Sequence, residues 1–180
     1  MTSSSRHFTR QVTSQATLTE GDNNLWLGRK QAPTHTLTDY GISPIVLESE
    51  AAVGQAMLEE LLQSAQEKAG DINIALLGGR GAQYFHKLLG ELATTSAQDA
   101  LFARLNVFTQ DALAPMAMGN GLSFVRDFER ILGEAFFRKI KSFTPMRTDT
   151  DDLEAGLIEY LNQLEAVGGL DIFFIGHGPE

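Results

Sequence analysis

The sequence predicts an α/β protein, an open three-layer α/β/α sandwich built on a mainly parallel sheet. Short apolar runs alternate along the chain with longer segments whose apolar residues recur at helical spacing. The runs are almost wholly apolar, which is typical of strands that helices cover on both faces. The chain has 180 residues, of which 43% are hydrophobic, and this is enough for a buried core.

Three apolar runs are the predicted strands, at residues 72–77, 105–109 and 170–175. The first predicted helix begins at Ser49 or Glu50 and ends before Gly70. Further helices are expected at about 82–92, at 124–140 and from Thr150 or Asp151 to about 164. In the last helix, five apolar or aromatic side chains are expected to face inward: Leu153, Leu157, Tyr160, Leu161 and Leu164.

The first 43 residues differ from the rest in composition. Nine of the first 20 residues are Ser or Thr, and Glu20 is the first acidic residue. We predict a flexible or loosely packed extension over 1–43, which 25–27 (Leu-Trp-Leu) would anchor to a folded part over 44–180. A targeting peptide is the less favoured interpretation of the same composition.

Charge and residue usage exclude several classes of protein. The 23 acidic residues outnumber the 14 basic ones, giving a net charge of −9 that disfavours binding to nucleic acid. The chain has no cysteine, and its four histidines lack metal-ligand spacing. No apolar run approaches the roughly 20 residues of a membrane span. We therefore predict a soluble cytoplasmic protein with no cofactor, whose oligomeric state is open and includes a homo-oligomer.

The residues that follow the strands are the candidates for chemistry, because parallel sheets bind ligands beyond the carboxyl ends of their strands. Gly78, Gly79, Arg80 and Gly81 follow the first strand. Their backbone would approach an anion closely, and Arg80 would add a charge-assisted bond to a phosphate. A tight turn that merely requires glycine explains the same residues equally well.

The other two strand ends carry carboxylates. Asp111 follows the second strand, where it would abstract a proton or, in the alternative, cap a turn. After the third strand, Gly176 and Gly178 would allow close approach to a ligand, and Glu180 supplies another carboxylate. A simple loop is again the alternative. The three ends together predict one shared crevice.

Other polar and aromatic residues receive structural interpretations. We expect His86 to be a surface or half-buried residue. We expect the phenylalanine stripe over 124–137 to be core rather than a stacking platform. Asp149, Asp151 and Asp152 fit a charge cluster at a helix start better than a calcium loop.

The strand ends resemble those of the glucosamine-6-phosphate deaminase and 6-phosphogluconolactonase family of sugar-phosphate enzymes. The resemblance runs from about residue 44 to residue 180. The family's phosphate loop is similar to 76–81 (Leu-Leu-Gly-Gly-Arg-Gly), and a helix motif is similar to 86–89 (His-Lys-Leu-Leu). The deaminase motif Phe-x-x-Asp-Glu-Tyr is similar to 108–113 (Phe-Thr-Gln-Asp-Ala-Leu). The lactonases have Asp-Glu-Arg at that point, so the motif does not separate the two branches.

The family motif Gly-x-Gly-x-Asp-Gly-His is similar to 176–180 (Gly-His-Gly-Pro-Glu). The resemblance implies a Rossmann-like sheet, assigns the proton-abstracting aspartate to Asp111 and places Glu180 at the motif's aspartate. The Gly-His pair that follows in the family lies beyond residue 180, and His177 does not replace it. The resemblance therefore implies that residues 44–180 form about two thirds of the family's domain, which is incomplete at the C-terminus. It also implies that the last strand is exposed and that the chain is inactive as given.

Three functions are compatible with these residues. The first is a sugar-phosphate isomerase or deaminase that acts on an amino-sugar or hexose 6-phosphate by aldose–ketose proton transfer. The second is a 6-phosphogluconolactonase-like hydrolase. The third is a non-catalytic sugar-phosphate-binding module, which Ala112 and Leu113 favour because both enzyme branches have polar residues there.

Overall fold

A computed structural model describes residues 44–176 and the backbone of 12–13. The chain divides into two compact units, residues 1–50 and residues 51–180. In the first unit, strand β1 (Val12–Thr13) pairs in parallel with strand β2 (Ile45–Val46). The rest of the predicted extension over 1–43 lies outside the described residues, and the boundary at residue 44 stays a prediction.

The second unit contains a four-stranded sheet in which every pair of neighbours is parallel. Its strands are β3 (Ile72–Leu76), β4 (Leu105–Thr109), β5 (Ser142–Thr144) and β6 (Ile172–Phe173). Their spatial order is β5-β4-β3-β6. The α/β class and the mainly parallel sheet are thereby confirmed. The sequence prediction missed β5, because two of its three residues are Ser and Thr.

Five helices accompany the strands in the described part of the chain. They are α1 (Glu50–Glu67), α2 (Gln83–Ala93), α3 (Asp99–Phe102), α4 (Phe124–Lys139) and α5 (Leu153–Ala166). The connection through α5 returns across β4 and β3 to β6, so a right-handed crossover places α5 on the face opposite α2 and α4. None of these helices combines the length and the hydropathy that a membrane crossing requires.

Two glycines allow the helices to pack closely. A Cβ on Gly54 of α1 would lie 2.6 Å from the Tyr84 Cβ and 2.7 Å from the Phe85 nitrogen. A Cβ on Gly90 of α2 would lie 2.8 Å from the carbonyl oxygens of both Ile131 and Leu132 on α4. Real Cβ atoms do not approach other atoms this closely, so the helix contacts require glycine at both positions.

A buried polar ladder crosses the sheet near the amino ends of the strands. The Asn106 side-chain amide donates to the Asn73 oxygen at 2.9 Å, and the Ser142 hydroxyl donates to the Asn106 oxygen at 2.7 Å. The Asn73 amide also donates to the carbonyls of Val167 and Gly169, just after α5. These bonds tie β3, β4 and β5 to the end of α5.

Helix α5 differs from its prediction in its start and in its buried face. Asp152 is the N-cap and accepts a hydrogen bond from the Ala155 nitrogen at 2.9 Å, so the helix begins at Leu153, later than expected. Tyr160 packs on Ala75 and Phe108, and Leu164 is partly buried there. The prediction that three further leucines face inward is wrong: Leu153, Leu157 and Leu161 are exposed. Among the described residues one helix covers this face, and only one side of that helix can touch the sheet.

The expectation for His86 is also wrong, because its side chain is only 1% exposed. The ring lies between Phe85 and Phe128, with centroid distances of 5.8 Å and 5.2 Å. Within the part of the chain that the structure describes, its Nε2 has no hydrogen-bond partner. Burial lowers the pKa of His86 from 6.5 to about 4, and the nearby Asp127 carboxylate opposes that shift only in part.

We expect His86 to make the fold sensitive to mild acid. Between pH 6.5 and 4 the unfolded chain binds a proton at His86 that the folded chain does not bind. The free energy of unfolding therefore decreases by about 3 kcal/mol as the pH is lowered from 6.5 to 4. Urea unfolding at pH 7 and pH 4.5 measures this loss. A His86→Leu variant should lose less stability over that interval than the parent does. An identical decline in both proteins would assign the acid sensitivity to other groups.

Candidate active site

The strand order places a topological switch point at the carboxyl edge of the sheet, where the sequence predicts a crevice. The chain passes from β3 outward to β4 and β5, and then returns to add β6 on the other side of β3. The loops after β3 and β6 therefore diverge at a topological switch point, which is where open parallel sheets bind ligands. The three strand ends predicted from the sequence follow β3, β4 and β6.

The end of β3 and the end of β4 meet at Gly78. A Cβ on Gly78 would lie 3.0 Å from the Asp111 Oδ1 and 2.9 Å from the Phe124 ring. The carboxylate and the ring edge thus flank the same α-carbon, and a side chain at this position would displace one of them. Gly79 has φ 76° and ψ −168°, a conformation that is essentially restricted to glycine. The turn after β3 therefore requires glycine at both positions.

Arg80 is exposed, and its guanidinium has no partner among the described residues. Every other Lys or Arg side chain in residues 44–176 has a carboxylate or carbonyl partner. Arg80 begins a 3₁₀ turn (Arg80–Ala82) that leads directly into α2. The loop consequently combines an available cation with the free backbone N–H groups at the start of a helix, both of which attract anions.

The end of β6 also reaches this loop. A Cβ on Gly176 would lie 3.0 Å from a methyl carbon of Leu77, so the backbone after β6 packs directly on the residue before Gly78. Gly81 is less constrained, because its nearest atom would be 3.9 Å away. Gly178 and Glu180 lie outside the described residues, so their place in the crevice stays a prediction.

The sequence prediction did not assign Phe124 or Gln110 to this site. Phe124, which was expected to be core, is half-buried and contacts Gly78, whereas Phe128 and Phe136 are buried as expected. The prediction failed because Phe124 begins the helix and shares the helical spacing of the buried phenylalanines. The Gln110 Oε1, on the residue before Asp111, is buried and has no hydrogen-bond partner in residues 44–176. The signal that could have assigned Gln110 to the site from the sequence was its position directly after a strand.

The end of β4 is held by hydrogen bonds to its last residue. The Tyr160 hydroxyl donates to the Thr109 carbonyl at 2.7 Å, and the Met146 nitrogen donates to the Thr109 hydroxyl at 2.9 Å. Burial raises the pKa of Tyr160 to about 12, so its hydroxyl stays a donor at neutral pH. Two segments thus fix the residue from which Gln110 and Asp111 extend.

Tyr160→Phe should lower the free energy of unfolding by about 1–2 kcal/mol, because the Thr109 carbonyl would lose a buried donor. Thermal or urea unfolding measures the change. Tyr84→Phe is the matched control, since the Tyr84 side chain is 44% exposed and its substitution should have little effect. Equal stability of the Tyr160→Phe protein and the parent would show that this hydrogen bond does not hold the strand.

No group of three His, Cys, Asp or Glu side chains suited to a metal ion occurs in the described part of the chain. The chemistry that this crevice offers comes from a guanidinium, a carboxylate and backbone N–H groups. Such groups bind an anion and move a proton nearby.

The fold is that of sugar-phosphate enzymes in solved structures, and the resemblance noted in the sequence is confirmed at this level. A monomeric glucosamine-6-phosphate deaminase superposes with a TM-score of 0.61 over 73% of this chain, at 20% identity. The 6-phosphogluconolactonases from Thermotoga maritima and Shewanella baltica superpose with TM-scores of 0.56 and 0.57, at 18% and 17% identity. They align with 75% and 73% of this chain.

The matched region covers 54% of the deaminase chain and 59% and 55% of the two lactonase chains. This chain therefore aligns with little more than half the length of these proteins. No protein-family model matches the sequence. No curated protein matches it either.

Proposed function

We propose that the crevice after β3, β4 and β6 binds a sugar phosphate and serves an isomerase or deaminase reaction on an amino-sugar or hexose 6-phosphate. One observation carries the proposal: Arg80, which has no partner in the described part of the chain, adjoins a glycine-only turn against which the Asp111 carboxylate lies. The turn would hold the phosphate dianion, and the carboxylate would face the sugar carbons. The solved deaminase and lactonases with this fold support the substrate class.

Each residue has one role in the proposed reaction. The backbone of Gly78, Gly79 and Gly81, with the Arg80 guanidinium, would bind the phosphate. Asp111 would take the proton from C2 of the opened sugar and return it to C1, which converts an aldose into a ketose. Gly176 and Gly178 would allow the sugar to approach the loop after β6. Glu180 would support the histidine that follows the corresponding motif in the family.

Two other functions use the same crevice. A 6-phosphogluconolactonase-like hydrolase would need no carbon deprotonation, and Asp111 would then only position the substrate. Two of the solved structures with this fold carry that activity in their names. A non-catalytic sugar-phosphate-binding module is favoured by Leu113, because this apolar side chain is 50% exposed beside Asp111.

Incubation with two substrates separates the three functions when the polypeptide tested continues through the family's Gly-His pair. Release of ammonia and fructose 6-phosphate from glucosamine 6-phosphate supports the deaminase. Accelerated hydrolysis of 6-phosphogluconolactone, without ammonia from the amino sugar, supports the lactonase. A ligand-induced rise in melting temperature without turnover of either compound supports the binding module; at 100 times its dissociation constant a ligand adds roughly 2.7 kcal/mol of stability. Absence of both binding and turnover contradicts the proposal.

A further inference from the structure

The segment that carries the proposed catalytic carboxylate is attached at both ends to the loop after β5. We call this segment, residues 109–116, the β4 arch. At its first residue, the Thr109 hydroxyl accepts a hydrogen bond from the Met146 nitrogen at 2.9 Å. At its last residue, the Met116 nitrogen donates to the Thr148 carbonyl at 3.0 Å. The carboxylate therefore lies between two points that the same loop holds.

The Thr148 side chain adds a second bond at the far end of the arch. Its hydroxyl donates to the Met116 carbonyl at 2.7 Å and lies 3.3 Å from the Met118 sulfur. Thr148 is 5% exposed, so little water reaches the hydroxyl to compete for this bond. One threonine thus satisfies both the nitrogen and the carbonyl of Met116.

The loop after β5 is a firm support because it is itself attached at both ends. It follows Thr144, which pairs with Phe108 of β4 in the sheet. It leads into α5, where Asp152 caps the helix by accepting a hydrogen bond from the Ala155 nitrogen at 2.9 Å. Thr148 therefore lies in a short connection between a paired strand and a capped helix.

The β4 arch also meets the turn after β3, where the phosphate would bind. The Gln110 nitrogen donates to the Leu76 carbonyl at 2.9 Å. The Asp111 Oδ1 lies 3.0 Å from the position that a Cβ on Gly78 would occupy. The arch thus sets the separation between the carboxylate and the phosphate. A misplacement of about 1 Å at a catalytic group can cost about a hundredfold in rate, so the position of the arch matters to the proposed reaction.

We propose that Thr148 is a positioning residue for Asp111: its hydroxyl fixes the far end of the β4 arch and thereby holds the carboxylate against the turn after β3. The catalytic consequence rests on the proposed function, whereas the attachment of the arch does not. Without the hydroxyl, the Met116 carbonyl would lose its donor and turn toward water. One bond instead of two would then hold this end of the arch, and the carboxylate would spend less time facing the sugar carbons.

Thr148→Val and Thr148→Ser test the attachment in the full chain, because valine keeps the shape of threonine and serine keeps its hydroxyl. In the Thr148→Val protein, ¹⁵N relaxation should give lower order parameters for the amides of 111–114, and the Met116 amide should exchange with solvent about tenfold faster. Thr148→Ser should restore both. The control Thr94→Val, which removes a hydroxyl that donates to the Glu91 carbonyl at 2.7 Å, should change neither.

Turnover separates a positioning residue from a merely structural one. In a polypeptide that continues through the family's Gly-His pair, Thr148→Val should lower kcat for glucosamine 6-phosphate about tenfold. KM should stay within about twofold of the parent value, because the turn that would bind the phosphate is unchanged. Thr148→Ser should restore kcat, and Thr94→Val should affect neither constant.

The outcomes for Thr148 and for the proposed function are distinguishable. Unchanged order parameters and unchanged exchange of the Met116 amide in Thr148→Val would overturn the attachment, whatever the reaction. Equal losses of kcat and affinity, or a kcat that Thr148→Ser does not restore, would overturn the positioning role. A parent polypeptide without turnover would contradict the proposed function and the catalytic consequence together, while the relaxation data alone decide whether Thr148 fixes the arch.

Discussion

In a polypeptide that continues through the family's Gly-His pair, Asp111→Asn is expected to reduce turnover of glucosamine 6-phosphate by about 10³-fold while leaving phosphate binding intact. An asparagine amide is not basic at neutral pH, so it cannot take the proton from C2. It has nearly the size of aspartate, so the packing against Gly78 should persist. Ammonia or ketose release measures the rate, and calorimetric titration with the sugar phosphate measures the affinity.

Asp99→Asn is the matched control for this substitution. Asp99 belongs to the short helix before β4, at the opposite edge of the sheet from Asp111, and it is paired with Lys139. Loss of this exposed ion pair should cost well under 1 kcal/mol and leave turnover unchanged. If Asp111→Asn weakened affinity and turnover equally, Asp111 would be a binding or structural residue and the proposed proton transfer would be wrong.

Gly90→Ala is expected to lower the free energy of unfolding by about 3 kcal/mol. Its new methyl group would lie 2.8 Å from two carbonyl oxygens of α4, and backbone atoms cannot move aside as a flexible side chain can. The higher helix propensity of alanine offsets only about 1 kcal/mol of the energetic cost of this overlap. In a protein of this size, the melting temperature should fall by about 10 °C.

The same substitution elsewhere provides the control. Gly156 also lies inside a helix, but a Cβ there would be 3.4 Å from a methyl carbon of Thr150, an ordinary contact. Gly156→Ala should therefore leave the melting temperature unchanged or raise it slightly. A similar shift for both variants would mean that helix propensity, rather than the close approach of α2 and α4, decides the effect.

The sequence predicted the elements that are apolar on every side. Strands β3 and β4 appear as predicted because all five residues of each are buried, so their only polar residues are the asparagines of the ladder and Thr109 at the end of β4. The turn after β3 was recognised because Gly78, Gly79 and Gly81 are clustered. The conformation of Gly79 gives that cluster a physical reason.

The features that the sequence did not predict depend on contacts between residues that are far apart in the chain. His86 looks like a surface residue beside Lys87, and only the packing of α4 on α2 buries it. Phe124 has the spacing of core residues, yet its place at the start of α4 brings it to Gly78. Leu157 and Leu161 have the spacing of a buried stripe and are exposed, because α5 touches the sheet through Tyr160 and Leu164 instead.

The central claim is that the loop after β3 holds a sugar phosphate. An NMR titration of labelled protein with glucosamine 6-phosphate and with unphosphorylated glucosamine tests it directly. The 6-phosphate should shift the amide resonances of Gly78, Gly79 and Gly81, glucosamine should not, and Arg80→Ala should weaken the binding about tenfold. Equal shifts with both sugars, or unchanged affinity in the Arg80→Ala protein, would contradict the claim and leave this loop as a turn alone.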